Sequence, residues 1–193
     1  GGGAQMSGAQ HAALRLESAL GNAGWMRQLR ALYGTAFPSE ERVPFFYLLR
    51  KAKKGAAECL AALDGDRFVG LAYTVSHKDL VFLFYFAVSD DRRGAGYGTA
   101  VLEALGHRYS GKRMVLSIEA LEEASPNIEQ RRRRKAFYLR CGFQEAGFTM
   151  REQGVAYEIL CRGGAVPFED YRAMLQSYMG KLLYALFYRR IRP

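Results

Sequence analysis

One stretch limits this chain more than any other. Nine apolar or aromatic residues run without a break from Leu80 to Val88, and a polar, glycine-rich loop follows at once. A run so apolar and so short predicts a strand covered on both faces. The loop, Ser89 to Gly98, carries Gly94, Gly96 and Gly98, three glycines in five residues. Beyond it Ala100, Val101, Leu102, Ala104 and Leu105 give a helical pattern from Thr99 to Tyr109. A strand that feeds a helix through glycines aims the helix's first N–H groups, and the positive end of its dipole, at the loop. Glycine lets backbone approach a ligand with no Cβ in the way. The product is an anion site, best suited to phosphate. Arg93 adds a planar charged fork and Thr99 a hydroxyl donor.

The flanking sequence supplies the rest of an α+β chain. A short strand-like stretch at Leu14 and Leu16 ends at Gly21-Asn22. Asn22 is placed to cap a helix over 23–36, with Trp25, Leu29, Leu32 and Tyr33 at helical spacing and Phe37-Pro38 as its stop. Pro44 opens a second helix that Gly55 ends. Strands are predicted over 57–63 and 67–75 around the turn Asp64-Gly65-Asp66, and a further turn at His77-Lys78-Asp79 leads into the Leu80 run. A strand over 114–118 follows the Thr99 helix, so it should lie parallel to the Leu80 strand as a β-α-β unit. Helix over 126–141, strands over 144–150 and 155–161, and one long final helix from Pro167 to about Tyr188 complete the pattern.

Two familiar phosphate motifs do not fit the loop. No Gly-Lys-Ser/Thr follows the glycines, and their alternate spacing is not GxGxxG. Arg93-Gly94-Ala95-Gly96-Tyr97-Gly98 instead resembles the signature of the GNAT superfamily of acetyl-CoA-dependent N-acetyltransferases: glutamine or arginine, two variable residues, glycine, one variable residue, then glycine or alanine. It stands between an apolar strand and a helix, as in that family. Downstream, Ala136-Phe137-Tyr138-Leu139-Arg140-Cys141-Gly142-Phe143 looks like the family's segment in which a tyrosine precedes Gly-Phe.

The resemblance implies a GNAT-like acyl-CoA N-acyltransferase fold, a mixed central sheet of six to seven strands flanked by helices, here with an extra C-terminal helix. It implies acetyl-CoA as co-substrate and no metal. The CoA pyrophosphate would be held by backbone N–H groups of Arg93, Gly94, Ala95, Gly96, Gly98 and Thr99, and the pantetheine arm by the strand end Phe86, Ala87 and Val88. Asn127 would bind the cofactor or a water, or cap its helix. Tyr138 would return a proton to the departing thiolate.

The implied chemistry, acetyl transfer to a primary amine in a ternary complex, needs a neutral nucleophile, yet an alkylamine has a pKa of about 10. A base, an acidic side chain or water, must take that proton. Glu119, ending the strand parallel to the Leu80 strand, is the candidate, with a salt bridge to the Arg131–Arg134 run as the other use open to it. In this family the acceptor pocket includes the loop between the first two helices. Here that places Glu40 and Glu41 to attract an amine, with Phe37, Phe45 and Tyr47 as wall. The alternative function is a non-catalytic CoA- or acyl-CoA-binding sensor or interaction protein.

Composition narrows the setting. At 193 residues one N-acetyltransferase domain over 1–193 is expected, with residues 1–10 disordered or left from an appended leader and 167–193 as a helical extension. Cys59, Cys141 and Cys161 are an odd number with no CxxC pair, against a disulfide scaffold or zinc knuckle and for a reducing, cytoplasmic setting. No apolar run is long enough for a membrane span. The excess of 28 Lys+Arg over 19 Asp+Glu, net +9, gathers at Arg50–Lys54, Arg131–Lys135 and Lys181–Arg192. A polyanionic cofactor accounts for Arg92, Arg93 and part of the Arg131–Lys135 run, so nucleic acid is not an expected partner. The expected partners are a small-molecule or protein amine and, through the last helix, a second copy of the chain.

Overall fold

The computed structural model of the chain describes residues 14–92 and 94–191, the side chains of 189–191 excepted. The order is β1 (Leu14–Ser18), α1 (Ala23–Ala36), α2 (Phe45–Lys53), β2 (Ala57–Asp64), β3 (Arg67–His77), β4 (Leu80–Val88), α3 (Tyr97–Arg108) and β5 (Arg113–Glu119). Then follow α4 (Ile128–Arg140), β6 (Gln144–Glu152), β7 (Val155–Arg162), α5 (Phe168–Met179), α6 (Lys181–Phe187) and β8 (Tyr188–Ile191). The strands form a mixed sheet in the order β1-β2-β3-β4-β5-β7-β6-β8. β4 and β5 are parallel, joined through α3, while β1–β2, β2–β3, β5–β7, β6–β7 and β6–β8 are antiparallel. The expected fold is present, with seven strands from the body of the chain and β8 added at the sheet's edge.

The described chain forms two compact units. Residues 14–75 and 84–110 make the first; 76–83 and 111–191 make the second. In the first, α1 starts as its sequence predicts: the Asn22 side chain accepts a hydrogen bond from Trp25 N at 3.0 Å, satisfying a donor the helix itself cannot. Leu29, Leu32 and Tyr33 form its buried stripe, α2 buries Leu48 and Ala52, and α3 buries Val101, Leu102 and Leu105. β2 and β3 are buried along nearly their whole length, so they show no alternation of apolar and polar residues.

In the second unit α4 packs against β5, and Tyr138 is the buried residue of this arginine-rich helix. α5 buries Tyr171, Met174, Leu175 and Tyr178. The single final helix expected from Pro167 to Tyr188 is not formed. Gly180, at φ 88° and ψ 152°, breaks it into α5 and α6, a conformation that residues with a Cβ avoid. The chain then extends into β8, where Tyr188 to Ile191 pair with Glu152 to Thr149 of β6. An unpaired outer edge on β6 is a better match for this segment than further helix.

Candidate active site

Within the first unit, the end of β4 is held against β3 at close range. Ser89 N donates to Val69 O at 2.9 Å, and Gly70 has no room for a side chain: a Cβ there would stand 2.7 Å from the Ala87 carbonyl oxygen. Gly70 therefore sets where Phe86, Ala87 and Val88 run. All three are half-buried, which leaves backbone and side chain within reach of a ligand. A short 3-10 turn at Asp90–Arg92 carries the chain away from the strand, closed by Arg92 N to Ser89 O at 2.8 Å.

The glycines then turn the chain into α3. Gly94 and Gly96 both adopt left-handed backbone, φ 80° and 79°, and Gly96 is the residue that starts α3. Nothing lies within 4 Å of a Cβ built on Gly94, so that side of the loop is open. Gly98 and Thr99 fall in the first turn of α3, half-buried, and Ala95 is exposed. The start of the helix is anchored from below by Tyr97, buried and donating its hydroxyl to Asp64 at the end of β2. Arg92 Nε is buried without a hydrogen bond among the described residues, its nearest charge being Asp91 at 3.4 Å. Open backbone at a helix N-terminus with such a guanidinium beside it fits a phosphate group. Arg93 lies outside the described residues.

The loop between α1 and α2 is fixed by two tyrosines. Tyr85 donates its hydroxyl to Glu41 O at 2.8 Å and accepts from Val43 N at 3.0 Å; Tyr33 donates to Val43 O. Their rings meet edge-on at 4.9 Å, with Phe37 and Phe45 packed on them at 5.0 and 5.5 Å. Phe37 and Phe45 thus remain half-buried on an aromatic base, while Glu40 and Glu41 are exposed. Tyr47 is half-buried under the Lys51 ammonium, 5.5 Å from its ring centroid. The sequence singles out Phe37, Phe45 and both glutamates but not Tyr33 or Tyr85, whose hydroxyls hold the loop in place. Nothing in a buried strand or a helical stripe marks which tyrosine reaches a loop carbonyl.

In the second unit Glu119, Asn127 and Tyr138 are linked through one helix. Glu119, 14% exposed, pairs with Arg131 Nη2 at 2.6 Å and Arg134 Nη1 at 3.5 Å. Arg131, 10% exposed, also donates to Asn127 Oδ1 and to the Ala120 carbonyl, each at 2.9 Å. The Asn127 side chain is therefore committed to Arg131 and does not cap α4. Arg132 pairs with Glu123 and Glu129, and Lys135 with Glu145 and Glu158 at 2.6 and 2.7 Å. Four of the five cations of this run face carboxylates, which removes the basis for assigning them to an anionic cofactor. Tyr138 lies beneath them. Burial pushes its phenol up to about 12; the neighbouring Cys141 acts in the same direction and Arg134 against it. At neutral pH it keeps its proton. Among the described residues no group of three His, Cys, Asp or Glu side chains is arranged to hold a metal ion.

These features have counterparts in known proteins. Residues 55–145 match the family model described as an acetyltransferase (GNAT) domain, an interval that spans the Gly70 contact, the glycine loop and Tyr138. The fold of the chain is the GNAT fold. A GNAT-family acetyltransferase of Bacteroides thetaiotaomicron has a similar structure, at 20% identity over 87% of this chain and 97% of its own, with a TM-score of 0.69. An aminoglycoside 6'-N-acetyltransferase solved with coenzyme A is similar at 16% identity over 79% and 98% of the two chains, TM-score 0.62. The ribosomal-protein-S18-alanine N-acetyltransferase of Escherichia coli follows at 20% identity over 81% and 97%, TM-score 0.51. Likeness at these identities concerns the GNAT fold. No curated protein matches the sequence.

Proposed function

We propose that the protein is an acetyl-CoA-dependent N-acetyltransferase acting on a primary amine, with direct transfer in a ternary complex. The observation that carries this is the start of α3: a left-handed Gly96 and open left-handed Gly94 directly after a buried strand, inside the matched GNAT interval. In this reading the loop from Gly94 to Thr99 holds the pyrophosphate, and the main chain of Phe86 to Val88 holds the pantetheine arm. Val88 N–H polarises the thioester carbonyl, which strengthens as negative charge grows on that oxygen. The amine nitrogen forms the new C–N bond while the C–S bond breaks. Tyr138 gives its proton to the departing thiolate, and water takes the proton that the amine releases. Glu119 is held by two arginines, so its assigned role is to orient α4 and with it Tyr138.

Glu40 and Glu41 are assigned to drawing a cationic amine toward the aromatic base of Phe37 and Phe45. Among the similar structures one is named for an aminoglycoside and another for a ribosomal-protein alanine, so the fold alone does not select the acceptor. Calorimetric titration with acetyl-CoA, followed by a plate of amines read by release of CoA thiol, tests the reading. Binding and amine-dependent thiol release are expected. No binding would remove the cofactor assignment, and binding without turnover on any amine would favour a CoA sensor.

A further inference from the structure

Glu119 holds the first half of α4 through Arg131 and Arg134; the end of the helix is held by another residue of the second unit. Arg162, the last residue of β7, pairs in register with Met114 of β5, and its side chain extends across the turn at Cys141-Gly142-Phe143. Its Nη1 donates to the Cys141 carbonyl at 3.2 Å, and its guanidinium carbon stands 4.8 Å from the centroid of the Phe143 ring. A Cβ built on Gly142 would be 3.5 Å from the Arg162 Cδ, so the aliphatic stem lies directly against that glycine. A cation at a helix C-terminus meets the negative end of the dipole, and an arginine over an aromatic face is attracted to the ring. Phe143 is buried and in turn carries Tyr138. The two rings meet edge-on at 5.6 Å, and Phe143 N donates to Tyr138 O at 3.1 Å.

We propose that Arg162 is a positioning residue for Tyr138: it fixes the Phe143 ring, and that ring fixes the direction in which the phenol points. The inference rests on the proposed role of Tyr138 as proton donor. A donor works only with its oxygen within hydrogen-bond reach of the departing atom, and a misplacement of about 1 Å can cost about 100-fold in rate. Tyr138 lies between two fixed points, the arginine pairs of Glu119 on one side and the Arg162 bond to Cys141 on the other. The planar guanidinium suits the second point, because it donates to a carbonyl and covers a ring at the same time.

Two measurements on the full chain test this. In protein labelled with 3-fluorotyrosine, the fluorine signal of Tyr138 is the one missing from Tyr138→Phe. Arg162→Met, which keeps an apolar stem and removes the charge, should move or broaden that signal. An unmoved signal would overturn the proposal without reference to acetyl transfer. In turnover with an amine that releases CoA thiol, Arg162→Met should lower kcat about tenfold, with acetyl-CoA affinity within about twofold of the parent. Arg162→Lys, which keeps a cation and loses the fork, should fall between them at about threefold. In a Tyr138→Phe background Arg162→Met should change kcat by less than about twofold, because the group it positions is gone. An equal loss in both backgrounds would show an arginine that only supports the fold, and would overturn the proposal. Full activity in Tyr138→Phe would remove the acid role and this inference with it, whereas loss there beside full activity in Arg162→Met would remove the role of Arg162 alone.

Discussion

As sequence, the glycine loop of the first unit and the arginine run of α4 share one property: each brings arginines to a helix as candidate partners for a polyanionic cofactor. The structure separates them by what the charges already touch. Arg131, Arg132, Arg134 and Lys135 are engaged by Glu119, Glu123, Glu129, Glu145 and Glu158. Around the loop the donors are the open backbone at Gly94 and a helix N-terminus. A cation already paired with carboxylates must give them up to bind a ligand, whereas backbone N–H groups at a helix start are oriented in advance. Availability, not charge count, marks an anion site.

Four substitutions would break or sharpen this contrast. Gly96→Glu should have the largest effect, lowering acetyl-CoA affinity at least about 100-fold in a calorimetric titration. It forces a side chain into left-handed backbone and puts an anion where the phosphates are assigned. Unchanged affinity would mean that the loop is not the anion site. Tyr138→Phe should reduce kcat about 100-fold with acetyl-CoA affinity retained, the loss typical of a missing proton donor. Since burial raises this phenol above its unfolded value near 10, its contribution to stability is present below pH 10. That contribution is lost as pH climbs towards about 12, and the phenylalanine variant should lack that part of the alkaline transition in a pH-dependent melt.

On the α4 side the effects should fall on stability. Glu119→Gln leaves Arg131 and Arg134 without their shared carboxylate and should cost about 2–3 kcal/mol in urea unfolding, below a fully buried pair because both sites keep some solvent. Its alkaline pH–rate profile should match the parent; a shifted profile would return Glu119 to the role of base. Arg132→Ala, removing an exposed cation paired with Glu123 and Glu129, should be the smallest change: within about 0.5 kcal/mol and within about twofold in acetyl-CoA affinity. A large loss of affinity would show that the run does serve the cofactor.

Much of this was legible in the residues. Asn22, Phe37, Gly55, the Asp64–Asp66 turn and the Leu80–Val88 strand punctuate the chain where they were expected, because each acts through bonds and sterics within a few residues. Gly180 was also readable as a break, since glycine inside an apolar helical pattern weakens it, yet the aromatic and leucine spacing on either side still favours one helix. Gly70 gave a fainter sign, a lone glycine in a strand pattern that marks close backbone approach without saying to what. Tyr33 and Tyr85 gave none: their hydroxyl partners at Val43 and Glu41 lie 10 and up to 44 residues away.

By itself the sequence determined the order of elements, the strand–glycine–helix unit and the GNAT resemblance, since all three rest on local periodicity, turn chemistry and short motifs. Only the tertiary structure decided which charges are free to act. It tied Glu119 and Asn127 to Arg131, placed Tyr138 out of water, opened Gly94, and laid Arg162 across the end of α4. Those outcomes depend on residues far apart in the chain meeting across strands and helices, and pairing of that kind has no signature in local spacing.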